Sequence, residues 1–352
     1  MKNTKEISRA KSLLFWVIGI FLILSILLIP AEIITRLVQK ADTPYYKKAQ
    51  LDDHLGWRTK AHYKADYNVS TLMGNNYKVH YRTGDHGFRP YGDEKTDRKK
   101  LFVLGDSYTQ AVEANNGKTY ASILANNLDA ELFCYGQAGY GNLQEYLLLE
   151  QYIDRINPDL LLLQICGNDL HDNYADLEMH SGYTVGQKRP YIDLDGDIKR
   201  YYPIAKWQSI IDKSKFLKLI RMKIQTLLPA EWNDYGPEIW KKRTAFPPFK
   251  MSVDITDLIL TKIKSKAVEA DIPLVVFIAG TMEPYRGELI KICEKQNIPC
   301  LYEMVNKLKQ KEVDGEDVTS SDGYHWTEMG HKFLADQMTD TIITYLRPQS
   351  IE

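Results

Sequence analysis

The stretch Leu101-Phe102-Val103-Leu104-Gly105-Asp106-Ser107-Tyr108-Thr109 decides the fold. An unbroken apolar run suits a strand buried on both faces, and the Gly-Asp-Ser that follows ends it with turn-forming residues. Open parallel sheets present their functional groups where strands end at their C-termini. Ser107 is therefore a candidate nucleophile. A seryl hydroxyl needs an imidazole to take its proton and a carboxylate to hold that imidazole's tautomer. Asp322-Gly323-Tyr324-His325, far along the chain, offers both.

Outward from that strand, short apolar runs alternate with helix-length amphipathic segments, the pattern of a parallel sheet flanked by helices. Strands are expected at Leu101 to Leu104, Glu131 to Tyr135, Leu160 to Cys166, Leu274 to Ala279 and Ile298 to Leu301. Helices are expected over Tyr120 to Leu128, Leu143 to Ile156, Ile255 to Glu269, Gly287 to Gln296 and Glu328 to Leu346. Residues 171–250 break the rhythm and are too long for an ordinary connection, so they read as an insertion into the α/β core. Within it Asp195-Gly196 predicts a hairpin turn. Ile210 to Leu228 has a helical period and is basic through Lys213, Lys215, Lys218, Arg221 and Lys223. The insertion's many Tyr, Lys and Asp residues suit a glycan surface better than an apolar lid. Residues 32–100 read as a linker and β-rich collar, with alternation in Tyr77-Lys78-Val79-His80-Tyr81-Arg82 and a turn at Gly74-Asn75-Asn76.

With 352 residues, 44% hydrophobic and 26% charged, the chain is mostly a folded globular protein. A net charge of -1 and the lack of zinc-finger spacing or a basic tail argue against nucleic acid as a partner. Leu13 to Ala31 is the exception to globular composition: about 19 uncharged residues, enough for a bilayer core. It ends without a small-x-small cleavage site. An uncleaved transmembrane anchor at 13–31 is expected, with residues 1–12 as a cytoplasmic tail and residues 101–352 as an extracytoplasmic catalytic domain, on the periplasmic side of a bacterial inner membrane. Lys2, Lys5, Arg9 and Lys11 before the span are matched by Arg36, Lys40, Lys47 and Lys48 after it, so orientation rests on Arg9 and Lys11 lying nearest the membrane. Cys134, Cys166, Cys293 and Cys300 show no metal-type spacing and read as free thiols, with Cys293 and Cys300 the pair placed for a bridge if the domain is oxidised. No metal and no cofactor is expected, since neither a metal-type cluster nor a P-loop or dinucleotide fingerprint occurs.

The chain resembles the SGNH (GDSL-like) hydrolase superfamily in four blocks that occur in the family's order. These are Gly105-Asp106-Ser107, Gly136-Gln137-Ala138-Gly139-Tyr140-Gly141, Gly167-Asn168-Asp169 and Asp322-Gly323-Tyr324-His325. It looks most like the membrane-anchored bacterial branch, often associated with envelope polysaccharides. One departure is Cys134, where many members have asparagine. The resemblance implies a flavodoxin-like three-layer fold in which Ser107 attacks the acyl carbonyl, His325 acts as base and then acid, and Asp322 orients His325. It also implies oxyanion donors from the Ser107 N–H, the Gly139 N–H and the Asn168 side chain, with Gly139 preferred over Gly141 by family spacing. Asp106 and Asp169 read as loop-structuring, His331 as packing or capping in the last helix, and His171 and Asp172 as bordering the cleft. The expected activity is that of a membrane-anchored serine esterase removing short acyl groups, acetyl foremost, from envelope carbohydrate. An O-acyltransferase acting on an exopolysaccharide and a non-catalytic glycan-binding or assembly protein are the alternatives. Expected partners are an acylated carbohydrate or other ester, membrane lipid through the N-terminal helix, and polysaccharide-assembly proteins.

Overall fold

The computed structural model describes residues 9–38, 48–181, 188–201, 211, 213–227 and 234–346. Two compact units divide the chain: residues 1–45 with 204–233, and residues 46–203 with 234–352. In the larger unit the collar strands come first in the chain. β1 (Ala49–Asp52) pairs with β2 (Gly56–Thr59), and β3 (Lys64–Ser70) pairs with β4 (Asn76–Arg82), both antiparallel. Five parallel strands then form the core sheet: β5 (Lys99–Gly105), β6 (Ala130–Gly136), β7 (Leu160–Ile165), β10 (Leu274–Ile278) and the short β11 (Cys300–Leu301). Between β7 and β10 lies an antiparallel hairpin, β8 (Arg189–Ile192) with β9 (Ile198–Tyr201).

The sheet order is β11-β10-β7-β5-β6. Renumbered along the core alone this is 2-1-3-4-5, the flavodoxin-like order, whose switch point falls between β5 and β7. Alternation along each strand builds the layers. Phe102, Leu104, Phe133, Leu161, Leu163 and Val276 join one buried cluster, with apolar residues of helices Asn142–Ile156 and Pro247–Glu269. Leu101, Val103, Leu132, Leu160, Leu162 and Phe277 join the other, with residues of Tyr120–Asn127, Glu303–Val313 and Glu328–Ile342. Both faces are covered, which is why these strands read as near-continuous apolar runs.

Differences from the expected elements lie where periodicity is weakest. The helix expected from Ile255 begins at Pro247, a favourable first-turn residue, and so reaches into the stretch read as insertion. Helix Glu303–Val313, which follows β11, was not expected, and β11 is shorter than Ile298 to Leu301. The last helix ends at Ile342 and passes into a single 3₁₀ turn rather than running to Leu346. The insertion does not form one piece: residues 171–203 and 234–250 belong to the larger unit, residues 204–233 to the smaller. The hairpin expected at Asp195-Gly196 is β8–β9, with Gly196 at a φ of 92°.

In the smaller unit the apolar run lies in one helix, Arg9–Val38, and a second helix spans Lys215–Leu227. Residues 210, 212 and 228 of the expected basic helix, and residues 1–8 of the expected tail, lie outside the described residues. Glu32 accepts hydrogen bonds from the Ser214 hydroxyl and from the N–H groups of Lys215 and Phe216, so its carboxylate caps the second helix. Those bonds hold its pKa down at about 2. Among the described residues no helix is long and apolar enough to cross a membrane. Side chains 20–24 of the first helix are not among them, so the expected anchor is carried by the sequence alone.

The collar packs onto the core through two seams. Arg89 N–H donates to the Cys134 carbonyl at 2.6 Å and Cys134 N–H to that of Pro90 at 3.0 Å, which extends the sheet edge beyond β6. At the tip of β3–β4, Ser321 N–H donates to the Ser70 carbonyl at 2.9 Å and Leu72 N–H to that of Thr319 at 2.9 Å. Asp317 Oδ2 accepts from the Thr71 hydroxyl and the Asn75 amide at 2.8 and 2.7 Å.

Candidate active site

Ser107 opens a single helical turn, Ser107–Gln110, immediately beyond β5. Asp106 caps it by accepting from the Tyr108 N–H at 3.0 Å. Two glycines let this turn sit tight on the sheet. A Cβ on Gly136 would lie 2.1 Å from the Gln110 nitrogen, and one on Gly105 would lie 2.3 Å from the Thr109 hydroxyl. These close approaches are the physical reason for glycine at both positions.

Ser107 Oγ lies 2.8 Å from His325 Nε2, and His325 Nδ1 lies 2.6 Å from Asp322 Oδ2. The other Asp322 oxygen accepts from the backbone N–H groups of Tyr324 and His325 at 2.8 and 2.9 Å, so the carboxylate is held by its own turn. Residues 218 positions apart in sequence are thus set in the hydrogen-bonded order that a nucleophile, base and orienting carboxylate require. Burial opposes the imidazolium, but the hydrogen bond to Asp322 and the negative charges of Glu113, Asp322 and Asp106 outweigh it and raise the His325 pKa to about 9. Partial burial pushes the Asp322 carboxyl up, yet the bond to His325 wins and holds it well below the ordinary range.

The remaining site residues sit at neighbouring strand ends. β5 lies between β6 and β7, with Gly105 level with Gly136 and Leu104 level with Leu163. Ser107, Gly139 and Asn168 therefore follow strands that end on one edge of the sheet, beside the switch point. Gly139 has a φ of 76°, a conformation that favours glycine. The Gly141 N–H is committed to Gln144 Oε1 at 3.2 Å, capping the next helix, which leaves Gly139 as the candidate donor of that loop. The Asn168 amide nitrogen donates to Asp106 Oδ2 and to Asp172 Oδ2, both at 3.2 Å, while the Cys166 thiol donates to its oxygen. Both amide protons are engaged, so one exchanges its carboxylate for a substrate oxyanion while the other bond keeps the amide in place.

Asp106 and Asp169 organise the loops, Asp106 as the helix cap and Asp169 by accepting the Cys166 N–H at 2.7 Å. His331 is buried and accepts the Tyr120 N–H at 3.2 Å. His171 lies against the Tyr285 ring, and Asp172 bonds both Asn168 and Arg189. All four cysteines are free thiols, Cys293 and Cys300 included.

Three residues that sequence reasoning missed shape the site. Glu113 Oε1 lies 3.8 Å from His325 Nδ1, and its other oxygen is buried without a partner. Burial pushes its carboxyl up despite the pull of His325. Lys48 is buried and donates to Gln110 at 3.0 Å, with its own pKa lowered by burial to about 8. Arg189 is fully buried among carboxylates beside the glycine loop. No spacing signal marks any of them, since each meets the site only through tertiary packing. Glu113, Asp322 and His325 bring their possible ligand atoms within 4.8 Å of one another, but His325 Nδ1 is already satisfied by Asp322.

The raised His325 pKa sets an expected pH dependence. General-base catalysis needs the neutral imidazole, so kcat/KM for an ester rises as pH increases through about 9. Glu113→Gln removes one of the negative charges that favour the imidazolium, and the midpoint then moves to lower pH. A pH–rate profile of the two proteins on an aryl acetate checks this; coincident profiles would contradict the role given to Glu113.

No family model matches the chain, and no curated protein does. The chain is similar to several solved structures at low identity. A psychrotrophic esterase, EstA, from Pseudoalteromonas sp. is 14% identical over 70% of this chain and 98% of that one, with a TM-score of 0.41. An acetyl xylan esterase is 14% identical over 69% and 99% of the two chains, with a TM-score of 0.38. A lipase/acylhydrolase from Enterococcus faecalis is 11% identical over 72% and 99%, with a TM-score of 0.37. Likeness at this level assigns no chemistry, which rests on the geometry of the site.

Proposed function

We propose that the chain is an SGNH-type serine ester hydrolase that removes short acyl groups from carbohydrate at a cell envelope. The observation that carries this reading is the contact series Ser107 Oγ, His325 Nε2, His325 Nδ1, Asp322 Oδ2, at 2.8 and 2.6 Å. His325 takes the Ser107 proton as the oxygen attacks the acyl carbonyl, then returns it to the departing sugar oxygen. Water, activated by the same imidazole, cleaves the acyl-enzyme and frees the acid. The Ser107 and Gly139 N–H groups and the Asn168 amide are the donors for the tetrahedral oxyanion.

Support for a sugar acceptor comes from the surface around His325. Tyr324 is 62% exposed beside it, and a tyrosine ring offers an apolar face with a polar tip to a sugar. Support for an envelope location comes from Leu13, Phe15, Trp16, Ile26 and Leu27, each at least 63% exposed, a set of large apolar side chains on one helix that water does not favour. In this reading residues 13–31 anchor the chain with the catalytic unit outside the cytoplasm.

The test uses the full-length protein in detergent with acetylated oligosaccharides of known substitution. Release of acetate matched by deacetylated sugar is the expected result. Acyl groups appearing on an added glycan instead of in solution would make it a transferase. Failure of both, together with no labelling of Ser107 by a fluorophosphonate, would remove it from the enzymes.

A further inference from the structure

Arg189 stands in the insertion, at the start of β8, yet its side chain is fully buried against two of the catalytic loops. Its Nη1 donates to Asp172 Oδ1 at 2.6 Å and to Glu178 Oε2 at 2.7 Å. Its Nη2 donates to Gln144 Oε1 at 2.8 Å and to the Gly139 carbonyl. The guanidinium carbon lies 5.1 Å from the centre of the Trp57 ring, which closes the remaining face. A planar fork of donors is what allows one side chain to hold a backbone carbonyl and a carboxylate together, and a lysine ammonium has no such geometry.

One arm ends on a residue assigned to the oxyanion site, the other on a carboxylate that holds such a residue. One fixes the carbonyl of Gly139 itself, a glycine whose backbone has little steric restraint of its own once that bond is lost. The other holds Asp172, whose second oxygen accepts the Asn168 amide at 3.2 Å. Burial raises the Asp172 pKa to about 7 against the pull of Arg189, so without the guanidinium this carboxyl becomes neutral near physiological pH and grips Asn168 less firmly.

We propose that Arg189 is a positioning residue for the oxyanion site, through which the insertion sets both the Gly139 loop and the Asn168 amide. The proposal rests on the serine-hydrolase reading above. It gives the β8–β9 hairpin a positioning role at a distance: Arg189 touches no reacting atom, and its effect passes through Gly139 and Asp172.

The experiment compares Arg189→Lys and Arg189→Met with the full-length wild-type protein on an aryl acetate. Misplaced oxyanion donors weaken the transition state and not the ground-state complex, so kcat falls by about 10²-fold with KM nearly unchanged. Tyr191→Phe serves as the control for hairpin stability, since the Tyr191 hydroxyl donates only to Glu178, at 2.7 Å. It is expected to lower the melting temperature while keeping wild-type kcat. A folded Arg189→Lys with wild-type kcat overturns the proposal, as does an equal loss of kcat in Tyr191→Phe. Should neither Arg189 variant fold, Asp172→Asn, similar in shape, is read in the same way through the Asn168 arm. Absence of turnover in the wild-type protein defeats the esterase reading and this proposal with it, whereas wild-type turnover with unaffected variants defeats this proposal alone.

Discussion

Ser107→Ala lowers kcat on an aryl acetate by about 10⁴- to 10⁶-fold and abolishes fluorophosphonate labelling. The size follows from geometry: the Ser107 oxygen is the one nucleophile within hydrogen-bond reach of His325 Nε2, at 2.8 Å, among the described residues. What survives is the contribution of the oxyanion donors and of substrate binding. The fold survives as well, because Asp106 and not Ser107 caps the turn, and alanine is a good helix former. Stability changes by about 0.5 kcal/mol or less, as for other substitutions that open no cavity and strand no buried polar group. Unchanged turnover by a folded Ser107→Ala would dismiss the whole assignment.

Asp322→Asn has the next largest effect, a fall in kcat of about 10⁴-fold, or about 5 kcal/mol in transition-state stabilisation. The carboxylate accepts from His325 Nδ1 at 2.6 Å and so leaves Nε2 bare to receive the Ser107 proton. An asparagine amide turned toward the ring donates to Nδ1 instead, places the proton on Nε2, and removes the base from the serine. The two backbone N–H groups on Asp322 Oδ1 remain satisfied by the new carbonyl, so the turn keeps its shape. A second carboxylate stands nearby, and the measurement also weighs it. A loss of less than about tenfold means that Glu113, 3.8 Å from the same nitrogen, takes over the orienting role.

Much of this site could be read from the chain before any coordinates. Ser107, His325 and Asp322 each follow or precede a strongly patterned element, and strand-end placement brought Gly139 and Asn168 beside them. The parallel sheet follows from the alternation of apolar runs and amphipathic segments, whereas its flavodoxin-like order came only as what the family resemblance implies. What escaped reading was whatever depends on contact across the fold. Glu113 lies in a loop whose sequence carries no motif, and Lys48 belongs to the collar, far upstream of the serine. Arg189 lies in an insertion with no clear periodicity. Helix Glu303–Val313 was missed for another reason: its apolar face consists of only Met304, Val305 and Leu308 in a run otherwise rich in Lys and Glu. The start of helix Pro247–Glu269 was missed because residues 171–250 read as an insertion, although its two prolines are well placed in a first turn.

The β3–β4 tip holds Thr319 and Ser321 by backbone hydrogen bonds, and the Ser320 N–H donates to the His325 carbonyl at 2.8 Å. The loop that carries the acid and base is therefore clamped by residues that precede the nucleophile by more than a full strand. Ser107 and His325 keep their register because a stretch that looks like a spacer is a structural splint for one of them. A gene fragment that starts at the serine strand encodes the sheet without the collar residues that brace the loop of Asp322 and His325.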